Sequence, residues 1–404
     1  MSEWPRVALG DLCTVAAGGT PARANPDHYG GAIPWVKIGD MRQGCITATD
    51  ESITEVGIKN SSAKILPAGT VLISIFATIG RTAVLGVDAA TNQAIAGLTP
   101  HDPEQLSPAF LRRFLDSIVS MLEGKAQGVA QVNINSTILR ALEVPVPPMR
   151  EQQRMLRLLD HVDALRAKRR KAVALLDDLT RSTFLEMFGT RDQSWPCVTV
   201  NDVAKAVKGS IRTGPFGSQL LREEFVDSGV PVLGIDNAVT NEFAWQGRRF
   251  ITGEKYEKLA RYRVYPGDVL ITIMGTCGRC VVVPDDIPVA INTKHLCCIT
   301  LDQSKCLPEF LRSYFLLHPE SQRYLHRTAK GAIMKGLNMA IIKDLPVSLP
   351  PISKQRAFVE KIESVKRVRS SNMAHLAELD ALFASLQYRA FRGELWAENL
   401  TLNA

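Results

Sequence analysis

Apolar positions along the chain follow two periods. Short β-branched runs, VLISIF at 71–76, VLITIM at 269–274 and CVVVP at 280–284, are broken by Gly, Pro and Asn. That pattern predicts strands and turns. Helix-period patches follow, PAFLRRFLDSIVSML from Pro108 and PEFLRSYFLLHPESQRYL from Pro308, each opened by a proline suited to a first helical turn. Two long segments without Pro or Gly come next, Met149 to Phe188 and Ile352 to Arg392, and Gly189 and Gly393 stop them. A helix of about 40 residues is a rod of about 60 Å.

Both rods carry an apolar stripe suited to helix-on-helix packing. The first runs through Met155, Leu159, Val162, Leu176 and Leu179, and the second through Phe358, Ile362, Val365, Leu376, Leu379 and Phe383. Each stripe breaks near mid-rod, at RAKRRK (166–171) and RSSN (369–372). Two readings stand. The breaks are polar turns within long helices, or, in rods packed antiparallel, they face each other and fix the register.

The order of parts repeats. WPRVALGD near Trp4 returns as WPCVTVND near Trp195, IPWVKIGD (33–40) as VPVLGIDN (230–237), and LPAGTVLISIFATIGR (66–81) as VYPGDVLITIMGTCGR (264–279). Pro147-Pro148 returns as Pro350-Pro351. A period of about 200 residues is too long for a solenoid and describes two copies of one domain. The predicted division is a globular α+β segment at 1–148, a helix at 149–190, a second globular segment at 191–351, and a helix with tail at 352–404.

Composition is that of a folded chain, with 46% hydrophobic and 22% charged residues. A net charge of +7 permits nucleic-acid binding without establishing it. The first residues, MSEWPRVALGD, hold no apolar signal core, and no apolar run approaches the ~20 residues of a membrane span, so a cytoplasmic protein with no membrane partner is expected. Catalytic signatures are missing: no GxxxxGK[ST], HExxH, GxSxG or cofactor-binding GxGxxG. Cys277-Gly-Arg-Cys280 with Cys297-Cys298 has a zinc-like spacing, but Ile79 and Thr82 stand in the first copy at the places of Cys277 and Cys280. Buried small hydrophobes are the preferred reading, and no metal site is expected.

The matched loops hold the candidate DNA-binding residues, because Arg, Lys, Asn, Gln and Thr bind phosphates and read base edges. In the first copy these are Gly19, Thr20, Lys37, Arg81 and Gln93, with Lys125, Gln127, Gln131 and Asn133 in the loop at 125–133. In the second they are Arg212, Thr213, Ser218, Gln219, Arg279, Asn292 and Lys294, with Lys330, Lys335 and Asn338 in the loop at 330–338. Loops are polar and Gly-rich in any case, and the pairing of the two sets is what favours binding heads.

IPWVKIGDM, LPAGTVLISIFATIG with VYPGDVLITIMGTCG, GPFGSQL, and PVPPMREQQR with SLPPISKQR resemble the specificity subunits of type I restriction–modification systems over almost the whole chain. Glu151-Gln152 keeps the motif after the first Pro-Pro, whereas the second reads Ser353-Lys354-Gln355. The resemblance implies two α/β target-recognition domains separated by two antiparallel helices. It implies a chain that binds double-stranded DNA at a bipartite, asymmetric site and recruits two modification (adenine-methyltransferase) subunits and then restriction subunits. It also implies no catalysis and no cofactor in this chain, with S-adenosylmethionine, ATP and Mg2+ used by the partners. The rivals are a metal-dependent nuclease or solitary methyltransferase, and a helical scaffold without DNA contacts.

Overall fold

The computed structural model describes residues 4–76, 78–127, 134–190, 194–247, 249–330 and 336–395. The chain forms two compact units, one of residues 1–170 with 374–404 and the other of residues 171–373. Each unit therefore holds one globular head, one end of the first long helix and one end of the second.

The β-branched runs form the sheet centres, where both faces are covered. In the first head the strands run in the order Cys13–Ala17, Ile95–Pro100, Val71–Ser74, Thr82–Leu85, Cys45–Ile46. In the second, the order Ile211–Thr213, Leu296–Ile299, Val269–Thr272, Cys280–Val282 repeats it without the last strand. All four residues of Val71–Ser74 and of Val269–Thr272 are buried. A smaller sheet accompanies each, built on Tyr29–Val36 and on Val230–Leu233. Helices Pro108–Ser117 and Pro308–Leu317 lay Phe110, Leu111 and Phe114, and Phe310, Leu311 and Tyr314, against the large sheets.

The Pro-Pro motif has a structural reason. Gln152 and Gln355 are fully buried at the starts of the long helices. Gln152 Oε1 accepts from the Ser107 N–H at 3.0 Å, and its Nε2 donates to the carbonyls of Gln105 and Pro147 at 2.7 and 2.9 Å. Gln355 repeats this with Leu307, Lys305 and Pro350, each at 2.9 Å. The amide clips the head's helix to the long helix. Lys354, the departure from the motif, lies over the Trp195 ring at 5.1 Å, a cation–π contact. Gln152→Ala is expected to leave one donor and two acceptors unpaired and to lower the stability of the first unit by about 1–3 kcal/mol. A thermal or denaturant melt of that unit unchanged within error would show that water replaces the clip.

The long helices run Met149–Phe188 and Ile352–Phe391. Within each unit they are antiparallel. In the first, Met155 shares a cluster with Ala390 and Phe391, and eleven residues on from Met155, Arg166 Nε meets Asp380 Oδ1 at 2.6 Å. In the second, Arg369 Nε meets Asp177 Oδ1 at 2.6 Å, and Phe358 packs on Phe184 and Phe188. The offset that carries Pro147 to Pro350 carries Arg166 to Arg369 and Asp177 to Asp380, so the two ion pairs are equivalent. This corrects the reading in which the polar breaks face each other. Each break pairs with a carboxylate of the other helix inside its own unit, because opposite charge is the cheaper neighbour there.

Of the stripe residues, Met155, Leu159, Val162, Phe358 and Ile362 are buried, and Leu176, Val365, Leu376, Leu379 and Phe383 are half-buried. Leu179 is 47% exposed and does not belong to the stripe. The covered face continues from Leu176 by steps of four to the half-buried Thr180 and the buried Phe184 and Phe188. There the helix packs on the head as well as on its partner, and the wider apolar face follows the i, i+4 row.

His318 fastens the end of the first helix. It is buried and stacked on Tyr314 at 4.2 Å, with Nε2 3.0 Å from the Phe188 carbonyl and Nδ1 3.2 Å from the Glu320 N–H. The Glu320 donor requires a bare Nδ1, so the ring is neutral with its proton on Nε2. Burial holds the imidazole below its ordinary value of 6.5, against the opposing pull of Glu320 and the Phe188 carbonyl. A depressed folded-state value means the unfolded chain takes up the proton first. The second unit should therefore lose stability as pH falls below about 6.5. His318→Gln, which keeps a donor for Phe188, is expected to flatten that part of a stability–pH curve; a curve of unchanged slope would clear His318 of the effect.

Candidate nucleic-acid interface

At one end of each large sheet the same turn is built twice. Ser74 accepts the Arg81 N–H on Oγ at 2.9 Å and directs its hydroxyl to the Thr78 carbonyl, while Gly80 N–H reaches the Ser74 carbonyl at 3.0 Å. Thr272 does the same with Arg279 N–H at 2.9 Å and the Thr276 carbonyl at 2.5 Å, and Gly278 N–H reaches the Thr272 carbonyl at 2.9 Å. Gly80 and Gly278 have φ of 81° and 82°, a left-handed backbone that favours glycine. The neighbouring loop is drawn in by Ile75 N–H to the Ala94 carbonyl at 2.8 Å and by Ile273 N–H to the His295 carbonyl at 2.9 Å. Ile134 N–H, at 3.3 Å from the Ile75 carbonyl, brings Ile134 to the same place.

The structure gathers part of the candidate set here. Thr20 and Gln93 hydrogen-bond to each other. Arg81 and Arg279 sit at equivalent places in the turn, and one guanidinium nitrogen of Arg81 donates to the Ile38 carbonyl at 3.1 Å. Arg81 lines a shallow cavity with Arg42, Arg112 and Asp116. Burial raises the Asp116 carboxyl above the usual range, against the Thr82 hydroxyl and the two arginines at 112 and 113. Thr213 ends its strand opposite Cys297, and Lys294 adjoins His295, whose imidazole is held down by burial, Lys294 and Arg249. Ser218 and Gln219 form an exposed turn, with Gln219 accepting from the Tyr262 hydroxyl at 2.8 Å.

Other candidates are structural. Arg212 is buried: it pairs with Asp268 at 2.7 Å, and its remaining donors meet the carbonyls of Arg263 and Gly209 and the Thr300 hydroxyl. No donor is left to read a base. The first head fills that place with a Thr70–Thr99 hydroxyl pair at 2.9 Å. Asn292 is fully buried and donates to the Leu296 carbonyl at 2.9 Å. Asn338 caps helix Met339–Lys343 through the Ile341 N–H at 2.9 Å, as Asn135 caps Ser136–Arg140. A Cβ on Gly19 would stand 2.1 Å from the Ala63 nitrogen, so only glycine fits, and the Gly19 carbonyl takes the Trp35 indole proton at 3.1 Å. Lys37 pairs with Glu51 at 2.6 Å; that hydrogen bond and one from Arg23 hold the Glu51 carboxyl below the usual range. Lys125, Gln127 and Lys330 lie in the final turns of helices Val119–Gln127 and Pro319–Lys330. Gln131, Asn133 and Lys335 lie outside the described residues.

Cys280, Cys297 and Cys298 are buried, and burial pushes the Cys297 thiol up to about 12. Among the described residues there is no group of three His, Cys, Asp or Glu placed to hold an ion, and no helix is long and apolar enough to cross a membrane.

A duplicated head with one locked turn in each copy narrows the families that fit, and comparison decides among them. The type I restriction modification DNA specificity domain matches residues 1–175 and 193–380. The chain belongs to that family. The type I restriction enzyme EcoBI specificity subunit of Escherichia coli is 21% identical over 98% of this chain and 87% of its own length. The HindI specificity subunit of Haemophilus influenzae is 32% identical over 36% of this chain; the match spans 32% of that relative, under half its length. The crystal structure of the type I restriction–modification S subunit from M. genitalium superposes with a TM-score of 0.57 at 15% identity, covering 96% of each chain, which shows the shared fold. The α+β architecture of two tandem heads and two antiparallel helices expected from the sequence is the one observed.

Two exposed residues at this candidate interface are absent from the set read from the sequence. Phe76 and Met274 stand at matching positions in the locked turn, 37% and 41% exposed. The signal was present, an apolar residue two positions beyond a buried strand in both copies, but it reads as a continuation of the strand.

Proposed function

We propose that this chain is a non-catalytic reader of double-stranded DNA that binds a bipartite, asymmetric site, one half-site per head. The observation that carries the reading is the turn built twice on the same hydrogen bonds but presenting different side chains, Phe76 with Gln93 nearby in one head and Met274 with Lys294 in the other. A shared frame with different tips suits two different half-sites.

Recruitment of two modification subunits, followed by restriction subunits, is the second part of the proposal. Leu165 and Leu382 are exposed beside the Arg166–Asp380 pair, and Val368 and Leu179 are exposed at the equivalent places beside Arg369–Asp177. Two equivalent apolar patches on the long helices suit two copies of one partner. The partners would supply S-adenosylmethionine, ATP and Mg2+ chemistry in the cytoplasm. Mapping methylated adenine in a genome carrying this chain with its modification subunit tests the reading: a motif split by a gap of fixed length is expected, and a continuous motif, or none, overturns it.

A further inference from the structure

An exposed aromatic or long apolar side chain at the tip of a polar loop cluster needs a reason, and the two heads offer the same one. Phe76 follows Ile75, whose N–H and C=O are both taken by neighbouring loops, at Ala94 and Ile134. Met274 follows Ile273, held by the His295 carbonyl. On the other side the Ser74 and Thr272 hydroxyls lock the turn from within. The tip is thus fixed from both sides and its side chain is the part that differs. A structural residue would be turned inward, as Ile75 and Ile273 are.

We propose that Phe76 and Met274 are specificity-determining residues, each making an apolar contact to a thymine 5-methyl group in the major groove of its own half-site. This rests on the DNA-reading function proposed above. The chemistry points to thymine because its methyl is the one apolar group displayed on a base edge of the major groove, where the rest are donors and acceptors. Placement on a locked turn reduces the side-chain and loop ordering that binding must otherwise impose. The difference in shape between a planar ring and a flexible thioether gives the two heads different partners around that methyl.

The test uses the full chain with its modification subunit and selection of bound duplexes from a random library, comparing wild type with Phe76→Ala and Phe76→Met. Wild type is expected to select a split motif. Phe76→Ala should lose about tenfold preference at a single T·A pair of one half-site and leave the other half-site untouched. Phe76→Met, whose residue the second head already carries in this turn, should stay folded and retain part of the preference. Replacing that thymine by uracil should weaken wild type and leave Phe76→Ala unaffected. A selection profile identical to wild type, a uniform loss over all sequences, or a loss at a pair other than T·A overturns the assignment while leaving the DNA reading intact. A wild-type complex that selects no sequence overturns both.

Discussion

Replacing Phe391 with alanine is expected to destabilise the N-terminal head by about 3–5 kcal/mol while leaving the other head as it was. The residue lies near the end of the chain, yet its ring packs edge-on against Phe110 and Phe114 at 5.3 and 5.5 Å, in the core of the first unit. Phe188, its counterpart on the first long helix, fills the second core against Phe310 and Phe358 at 5.1 and 5.5 Å. Each unit closes on the far end of a helix that begins in the other, so the effects cross. Hydrogen exchange followed by segment should show lost protection in Val71–Ser74 and Ile95–Pro100 for Phe391→Ala, and in Val269–Thr272 for Phe188→Ala. Phe391→Ala that loosens the second head instead would mean that the units are not divided as described. A cost this large is a sizeable share of the stability of an ordinary domain, so it should also appear as a separate, earlier melting transition.

What the sequence makes legible is what local chemistry decides. VLIS (71–74) and VLIT (269–272) are strands because β-branched runs between Gly and Pro have few alternatives, and the long helices follow from forty residues free of breakers. Arg212 shows where that reasoning ends. A basic residue before ThrGlyPro looks like a reader of DNA. Its role is set by Asp268, across the sheet and distant in sequence, and by Thr300, just past the end of the strand between them. The first head could have warned of this, since Thr70 and Thr99 occupy the matching places without any charge. Asn338 was legible in principle, because an Asn three residues before an apolar position is a capping signal, but a polar loop hides it. The exposed Leu179 and the buried Phe184 differ for a tertiary reason: the face that meets a head is wider than the face that meets one helix. Phe76 and Met274 needed the fold, since no periodicity shows that the strands stop at Ser74 and Thr272 while the apolar run continues.

A fragment of residues 1–190 is expected to dimerise and, with the modification subunit, to recognise a symmetric, interrupted palindrome. Removing residues 374–404 takes Ala390, Phe391 and Asp380 from the first unit and uncovers Phe110, Phe114, Met155 and Arg166. The offset between the long helices places Met187, Phe188 and Asp177 at the vacated positions. A second copy of the fragment can therefore lay Phe188 on Phe110 and Phe114 and set Asp177 against Arg166, and two-fold closure lets both copies do so at once. The register decides the sign of the salt dependence. If the basic stretches at 166–171 opposed each other, added salt would strengthen the dimer; with Arg166 opposite Asp177, added salt weakens it, and only modestly, because the Asp177 carboxylate is exposed. Sedimentation at micromolar concentration across a salt series separates the two. The dimer carries two copies of the Phe76 turn and none of the Met274 turn, so both half-sites become the first half-site and its complement. A fragment that stays monomeric, or a complex that still prefers the asymmetric site, would show that the far helix ends cannot stand in for each other.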